Sequence, residues 1–186
     1  MPFIETALPG VLIFEPTVHG DNRGYFFEAY NEKTFHASGV TSKYVQDNQS
    51  SSSYGVIRGL HYQQNPYAQS KLVRVLHGRI LDVAVDVRKG SPYYGKVVHV
   101  ELSEENKKQL LIPVGFAHGF SVLSEHAVVL YKCDGLYNKE SEGGICYNDP
   151  DLAINWQIPA GKENVSDKDK ILPSLKDCKA NFVFEK

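Results

Sequence analysis

Gly55-Val56-Ile57-Arg58-Gly59-Leu60-His61-Tyr62 is the stretch whose reading decides the fold. Apolar and β-branched residues surround one Arg and one His, as in a partly buried strand. Strict alternation puts Val56, Arg58, Leu60 and Tyr62 on one face, and Ile57, His61 and Gln63 on the other. Arg58 and His61 therefore have opposite parity, and a flat strand cannot aim both into one pocket. A twist, bend or bulge at Gly59 would remove the conflict, because glycine inside a strand often marks such a feature. Two readings of the pair stand side by side. In one, Arg58 holds an anion and His61 transfers a proton; in the other, they are a surface Arg and a hydrogen-bonded barrel His.

Outward from this stretch the chain reads as short strands separated by turns. Residues 11–18 read as a strand ended by a proline, residues 19–24 as a turn, and residues 25–30 as a second strand. Asn31–Ser38 is the best short helix, with Asn31 to cap it and Gly39 to end it. Residues 44–48 extend, with Tyr44, Gln46 and Asn48 on one face, and Ser50–Tyr54 reads as a polar loop. Strands follow at 71–77, 80–87, 96–102, 109–113, 116–123 and 127–132, with at most one helical turn at Ser103–Asn106. In 80–87, Leu81, Val83, Val85 and Val87 alternate with Asp82, Ala84 and Asp86, a half-buried pattern. Short strands about ten residues apart with Gly/Pro turns and almost no helix argue for an all-β sandwich or barrel. The segment from Asp149, with its lone Trp156 and the run Ser166-Asp167-Lys168-Asp169-Lys170, reads as a solvated loop closing over the barrel.

Composition narrows the function classes. A chain of 186 residues suits one domain, residues 1–186, with a sizeable core. The net charge of −2 and the lack of a basic run give no reason to expect nucleic acid or an anionic membrane surface. Met1–Gly10 lacks the charged and apolar regions of a signal peptide, and no window approaches the ~18 apolar residues of a membrane span. The three Cys, widely spaced and without a CxxC, fit reduced thiols in a cytoplasmic chain.

Pro113-Val114-Gly115-Phe116-Ala117-His118-Gly119 is the second informative stretch. Its Pro-x-Gly-x-x-His spacing resembles the second motif of the cupins, small jelly-roll barrels in which that His can bind metal. The partner motif needs His-x-His and then an acidic residue. Here His61 is followed by Tyr62 and Gln63, and residues 64–72 contain no acid. Two imidazoles without a carboxylate are a poor match for a facial-triad iron site, so no metal and no cofactor are expected. Such a barrel must act through side chains. His61 can serve as a base near neutral pH, Lys71 can meet an oxyanion and Tyr131 can donate a phenolic proton. Arg23 and Arg58 suit a diphosphate. Singly, Lys71 and Tyr131 are also readable as a surface charge and a barrel aromatic.

From about residue 10 to 172 the chain resembles the dTDP-4-dehydrorhamnose 3,5-epimerase family of metal-free cupins. The matching blocks are Asp21–Glu28, Gln46–Asn48, Gly55–Gln63, Lys71–Val75, Ile112–Phe120, Tyr131, Tyr137, Ser141–Gly143 and Ser166–Asp169. The resemblance implies a cupin jelly-roll with a few short helices. It makes His61 the proton acceptor paired with Asp169, Tyr131 the proton donor, and Lys71 the partner of an enolate oxygen with His118 nearby. Arg23, Arg58, Gln46, Asp47, Asn48 and Lys168 would hold nucleotide and diphosphate. Phe26, Glu28 and Glu142 would line the nucleoside pocket, and Tyr137 would stack on thymine. It also implies a homodimer with exchanged N-terminal strands, so that residues 23–28 act in the other subunit's site. Asn22 stands where an acid is common, and His77 has no role that the resemblance assigns.

The activity implied is inversion of C3 and C5 of a dTDP-4-keto-6-deoxysugar, without a cofactor. Three rivals remain: an enzyme of the same fold that inverts one carbon only, a metal-dependent cupin oxygenase, and a sugar-binding cupin without catalysis. The last would keep the arginines and Tyr137 but would not need base, acid and lysine together.

Overall fold

The structure, a computed structural model, describes residues 3–185. Residues 1, 2 and 186 of the expected 1–186 domain, and with them the first two residues of the N-terminal stretch, lie outside the described residues. One six-stranded sheet has the spatial order β1 (Phe3–Glu5), β2 (Leu12–Phe14), β10 (Gln109–Ile112), β7 (Lys71–His77), β12 (His126–Cys133) and β5 (Gln46–Ser53). The second runs β13 (Glu142–Gly144), β6 (Val56–Gln63), β11 (Phe116–Val122), β8 (Arg79–Asp86) and β9 (Val97–Ser103), with β14 (Asn164–Val165) parallel to β6. A small hairpin of β3 (His19–Asp21) and β4 (Gly24–Phe26) stands apart from both. Helix is confined to α1 (Glu32–Ala37), α2 (Asp167–Lys170) and a 3-10 turn at Lys139–Ser141. This is the expected all-β jelly-roll, and no helix among the described residues is long and apolar enough to cross a membrane.

Apolar side chains fill three layers. Val73, Val75, Leu110, Ile112 and Val129 from the first sheet meet Ile80, Leu102, Phe116, Phe120 and Val122 from the second inside the barrel. Phe35 and Val40 at α1 cover Phe14, Leu72 and Leu111 on the outer face of the first sheet. The tail, through Ile145, Leu152, Trp156, Leu175 and Phe182, covers Ile57, Leu81, Val83 and Val85 on the outer face of the second. Trp156 is pinned at both ends: its Nε1–H donates to Tyr147 O at 2.8 Å, and its carbonyl accepts from Ser121 Oγ at 2.7 Å.

Several local expectations change. Ser50–Ser53 is not a loop but the end of β5, because each of its residues is paired with β12 from Val129 to His126. Cross-strand pairing outweighs the low strand propensity of a serine run. Residues 25–30 leave the strand after Phe26, where the β3 partner ends at His19, and the 19–24 turn narrows to Asn22-Arg23. The 11–18 strand shrinks to Leu12–Phe14. β8 is not half-buried: Asp82 and Asp86 are fully buried because the tail covers one face and the barrel interior receives the other. Asp86 is satisfied by Arg88 at 2.6 Å and Ser91 at 2.7 Å. The Ser166–Lys170 run is not a solvated loop but α2, capped by Ser166, with Asp169 buried. The helix at 31–38 stands as read, with Asn31 Oδ1 accepting from Thr34 N–H.

The parity conflict of the opening stretch is resolved at Gly59. In the β6–β11 pairing, His118 faces His61 while Phe120 faces Arg58. Two steps along β11 therefore match three along β6, so β6 carries one extra residue, a bulge that flips parity. Gly59 has φ +114° there, and a Cβ on it would sit 2.6 Å from Gly119 Cα and His118 O. Arg58 and His61 consequently line one cavity. Gly59→Ala should destabilise the fold by about 3 kcal/mol through strain and overpacking. Urea unfolding checks this, and a loss below about 1 kcal/mol would contradict the close approach.

Candidate active site

The cavity inside the barrel has a volume of about 500 Å³ and is lined by side chains of both sheets. The second sheet contributes Arg58 and His61 from β6 and His118 and Phe120 from β11; the first contributes Lys71 from β7, Tyr131 from β12 and Ser50 from β5. The tail adds Asn164, Ser166, Lys168 and Asp169. A smaller cavity of about 260 Å³ shares His61, Lys71 and Tyr131 and continues toward Gln46, Asn48, Tyr137 and Glu142.

His61 and Asp169 form a dyad. His61 Nε2 lies 2.8 Å from Asp169 Oδ1; a carboxylate can only accept, so Nε2 carries the proton and Nδ1 of the neutral ring is bare. Asp169 is held from three sides, since Gly59 N–H donates to its Oδ2 at 3.1 Å and Ser166 Oγ accepts from its own N–H at 3.1 Å. Burial acts to raise the Asp169 pKa, but the hydrogen bonds from His61 and Gly59 outweigh it and hold the carboxyl below its ordinary range. The dyad carboxylate is therefore charged at neutral pH.

Across the cavity, burial pushes the Tyr131 phenol above its ordinary pKa, helped by Cys133 and opposed by Arg58. The phenol is thus protonated, and Lys71 Nζ sits 5.9 Å from its ring centroid. Burial lowers the Lys71 pKa, while charge on Cys133, Asp82 and Glu142 acts in the opposite sense. His118 is likewise lowered by burial, against the pull of Asp82. Arg58 Nε donates to Ser52 Oγ at 3.1 Å, which orients the guanidinium along the wall.

At the mouth, Tyr137 exposes its ring and its hydroxyl donates to Glu142 at 3.1 Å; Lys168 bonds the same carboxylate at 2.7 Å. Those contacts offset the burial of Glu142 and keep its pKa below the ordinary value. Gln46 Oε1 accepts from Tyr137 N–H, and Gln46 Nε2 donates to Asn48.

Of the candidate residues, His61, Lys71, His118, Tyr131, Asp169, Arg58, Lys168, Gln46, Asn48, Tyr137 and Glu142 come together around the two cavities. Asp47 does not: alternation along β5 turns it outward, where it pairs with Lys132 at 3.0 Å. Arg23, Phe26 and Glu28 also stand away, around the β3–β4 hairpin and the start of α1. Arg23 is paired with Asp21 at 2.5 Å and Phe26 is 70% exposed. Sequence reasoning missed Ser50, Phe120, Asn164 and Asp82. For Asp82 there was a signal, a carboxylate inside an otherwise apolar strand, but alternation assigned it to solvent. Among the described residues no group of three or more His, Cys, Asp and Glu side chains is arranged to hold a metal ion.

Comparison with known proteins supplies the remaining finding. Residues 5–177 match the family model described as dTDP-4-dehydrorhamnose 3,5-epimerase. The protein of that name from Shigella flexneri is 54% identical over 170 residues, covering 91% of this chain and 93% of its own length. The crystal structure of dTDP-4-dehydrorhamnose 3,5-epimerase from Elizabethkingia anophelis NUHP1 matches with a TM-score of 0.90 at 54% identity, covering 94% of this chain and 96% of that one. The dTDP-6-deoxy-D-glucose-3,5-epimerase of Legionella pneumophila Philadelphia 1, solved with dTDP-4-keto-L-rhamnose, gives a TM-score of 0.90 at 48% identity, covering 94% and 92%.

The depressed pKa of Asp169 has a consequence for stability. The group stabilises the fold above its unfolded pKa of about 3.9, and that contribution is lost as pH falls through the lower folded value. Asp169→Asn should therefore be less stable than the parent at pH 7, with the difference narrowing below about pH 4. Urea midpoints at both pH values check this, and a constant difference would refute it.

Proposed function

Since the chain belongs to the dTDP-4-dehydrorhamnose 3,5-epimerase family, we propose that it inverts C3 and C5 of dTDP-4-dehydro-6-deoxy-D-glucose to give dTDP-4-dehydro-L-rhamnose, within dTDP-L-rhamnose biosynthesis. The observation that carries the mechanism is an imidazole on one sheet, backed by a carboxylate from the tail, opposite a protonated phenol on the other sheet, across one cavity.

The C4 ketone of such a sugar acidifies the protons on C3 and C5. His61 Nδ1 takes one of them; the imidazolium that results is stabilised by Asp169, which already holds Nε2–H. The electron pair moves to the C4 oxygen as an enolate, where the Lys71 ammonium meets the charge. Tyr131 then returns a proton to the other face of the carbon, which inverts it. The ketone is itself the electron sink, so the side chains present suffice for the step. The nucleoside is placed at the mouth, with thymine on the Tyr137 ring beside Glu142, and the diphosphate near Arg58, Lys168, Gln46 and Asn48.

The reading includes a homodimer, with residues 1–186 of each chain acting as one unit. Arg23, Phe26 and Glu28 cannot serve the cavity of their own chain from where they stand, and the exposed Tyr25 and Phe26 offer an apolar surface for another copy. The exchanged N-terminal segment would bring them to the partner's nucleotide. Asp47 faces outward and is assigned no side-chain contact. Three free thiols and a nucleotide-sugar substrate fit a reducing cytoplasmic setting.

His61→Asn should lower turnover by about 10³-fold with dTDP affinity little changed; full activity would reject His61 as the base. Tyr131→Phe should impair inversion at one carbon more than the other, read by NMR as deuterium uptake at C3 and C5 in D₂O. Label at one carbon only in the parent enzyme would assign it to the single-carbon class. Turnover should persist in EDTA, and a loss reversed by added metal would favour the oxygenase-type reading.

A further inference from the structure

A second imidazole–carboxylate pair sits in the barrel, and the steps above leave it unused. His118 lies opposite His61 in the β6–β11 pairing, and its Nε2–H donates to Asp82 Oδ1 at 2.7 Å. Asp82 reaches in from β8 and is fully buried, and its Oδ2 has no hydrogen-bond partner among the described residues. A buried carboxylate with one idle oxygen is costly, and packing alone does not call for one. Its sibling on the same strand, Asp86, is bonded on both oxygens by Arg88 and Ser91.

The Asp82 charge also acts on Lys71, which lines the same cavity as His118. Of the other groups whose charge acts on Lys71, Glu142 is engaged by Lys168 at 2.7 Å and Cys133 is a thiol pushed toward its neutral form by burial. The Glu142 contacts with Lys168 and Tyr137 are both made by its Oε2 at the half-open mouth, so Asp82 is the fully buried carboxylate of the set, with an oxygen that has no partner among the described residues.

We propose that Asp82 is a positioning residue of this active site: through Oδ1 it holds His118 in the tautomer with Nδ1 bare, and its second oxygen supplies buried negative charge that acts on the Lys71 ammonium. The inference rests on the epimerase reading. A neutral His118 of this tautomer is an acceptor, fit to take a hydrogen bond from a sugar hydroxyl or from Lys71 itself, and not a donor to the enolate. Lys71 is then the cation left to meet the enolate, and it can do so only while protonated. Burial works against that protonation and Asp82 works for it. The other titratable and charged groups around the pair are Arg58 and His61 on β6, His118 on β11, Tyr131 and Cys133 on β12, Tyr137 after it, Glu142 on β13 and Lys168 and Asp169 on α2.

The test is the pH profile of kcat for the parent enzyme, Asp82→Asn and Asp82→Glu, with dTDP-4-dehydro-6-deoxy-D-glucose as substrate. Asp82→Asn keeps the shape and the acceptor for His118 but removes the charge. Its alkaline limb should move to lower pH by about one unit, because Lys71 loses its proton sooner. On that limb kcat at a given pH should fall about tenfold, with KM changed much less. Asp82→Glu, which restores the charge, should bring the limb back toward the parent position. A folded Asp82→Asn enzyme with an unmoved limb and parental kcat would overturn the proposal. If the variant does not fold, ¹⁵N NMR of the imidazoles in the parent protein decides: His118 should show a protonated Nε2 and a bare Nδ1 from pH 6 to 9, and a protonated Nδ1 there would overturn it. Parent protein without turnover would instead count against the epimerase reading, with the NMR measurement still deciding on Asp82.

Discussion

One hydrogen bond, 2.8 Å long, joins His61 to Asp169 across 108 positions of sequence, and much of the architecture exists to make it possible. The imidazole belongs to a central strand of the second sheet; the carboxylate belongs to a tail that has no place in either sheet's core. To bring them together the tail must cross the outer face of that sheet, anchor itself through Trp156, add β14 beside β6 and turn into α2. The same carboxylate also accepts from the Gly59 N–H, so the residue that bends β6 also helps to hold its catalytic partner.

A second constraint is the parity of a strand. A barrel offers only every other residue to its interior, so a site that needs an anion-binding Arg and a proton-accepting His three positions apart cannot be built on regular β structure. The bulge at Gly59 is the local solution, and it is accommodated because the residue opposite is also a glycine: a Cβ on Gly119 would lie 2.6 Å from Arg58 O. Two backbones meet where side chains would not fit.

What the sequence showed depended on whether a signal was local. Strand alternation, glycine turns and the Asn31 cap lie within a few residues, and from them the all-β class, the 31–38 helix and the conflict at Arg58 and His61 were all legible. Family resemblance supplied the pairing of His61 with Asp169, which composition read as solvated. The features that escaped depend on what packs against them. Ser50–Ser53 became strand because β12 lies beside it. Asp82 looked like the polar side of a half-exposed strand until the tail covered the opposite face and turned the whole of β8 into interior. That Arg23, Phe26 and Glu28 stand away from their own cavity was implied by the family resemblance alone, since it depends on where the hairpin goes and no periodicity reports that.

The covering of the second sheet by the tail also bears on the order in which the molecule is made. Every barrel strand that contributes His61, Lys71, His118 or Tyr131 precedes residue 134, so during synthesis the ribosome releases a nearly complete barrel before the carboxylate that orients its base exists. Tyr137, Glu142 and Lys168 at the mouth follow later as well. The chemistry is switched on last, by the segment that also buries the remaining greasy face, and competence therefore arrives together with the seal that protects the chain from sticking to its neighbours.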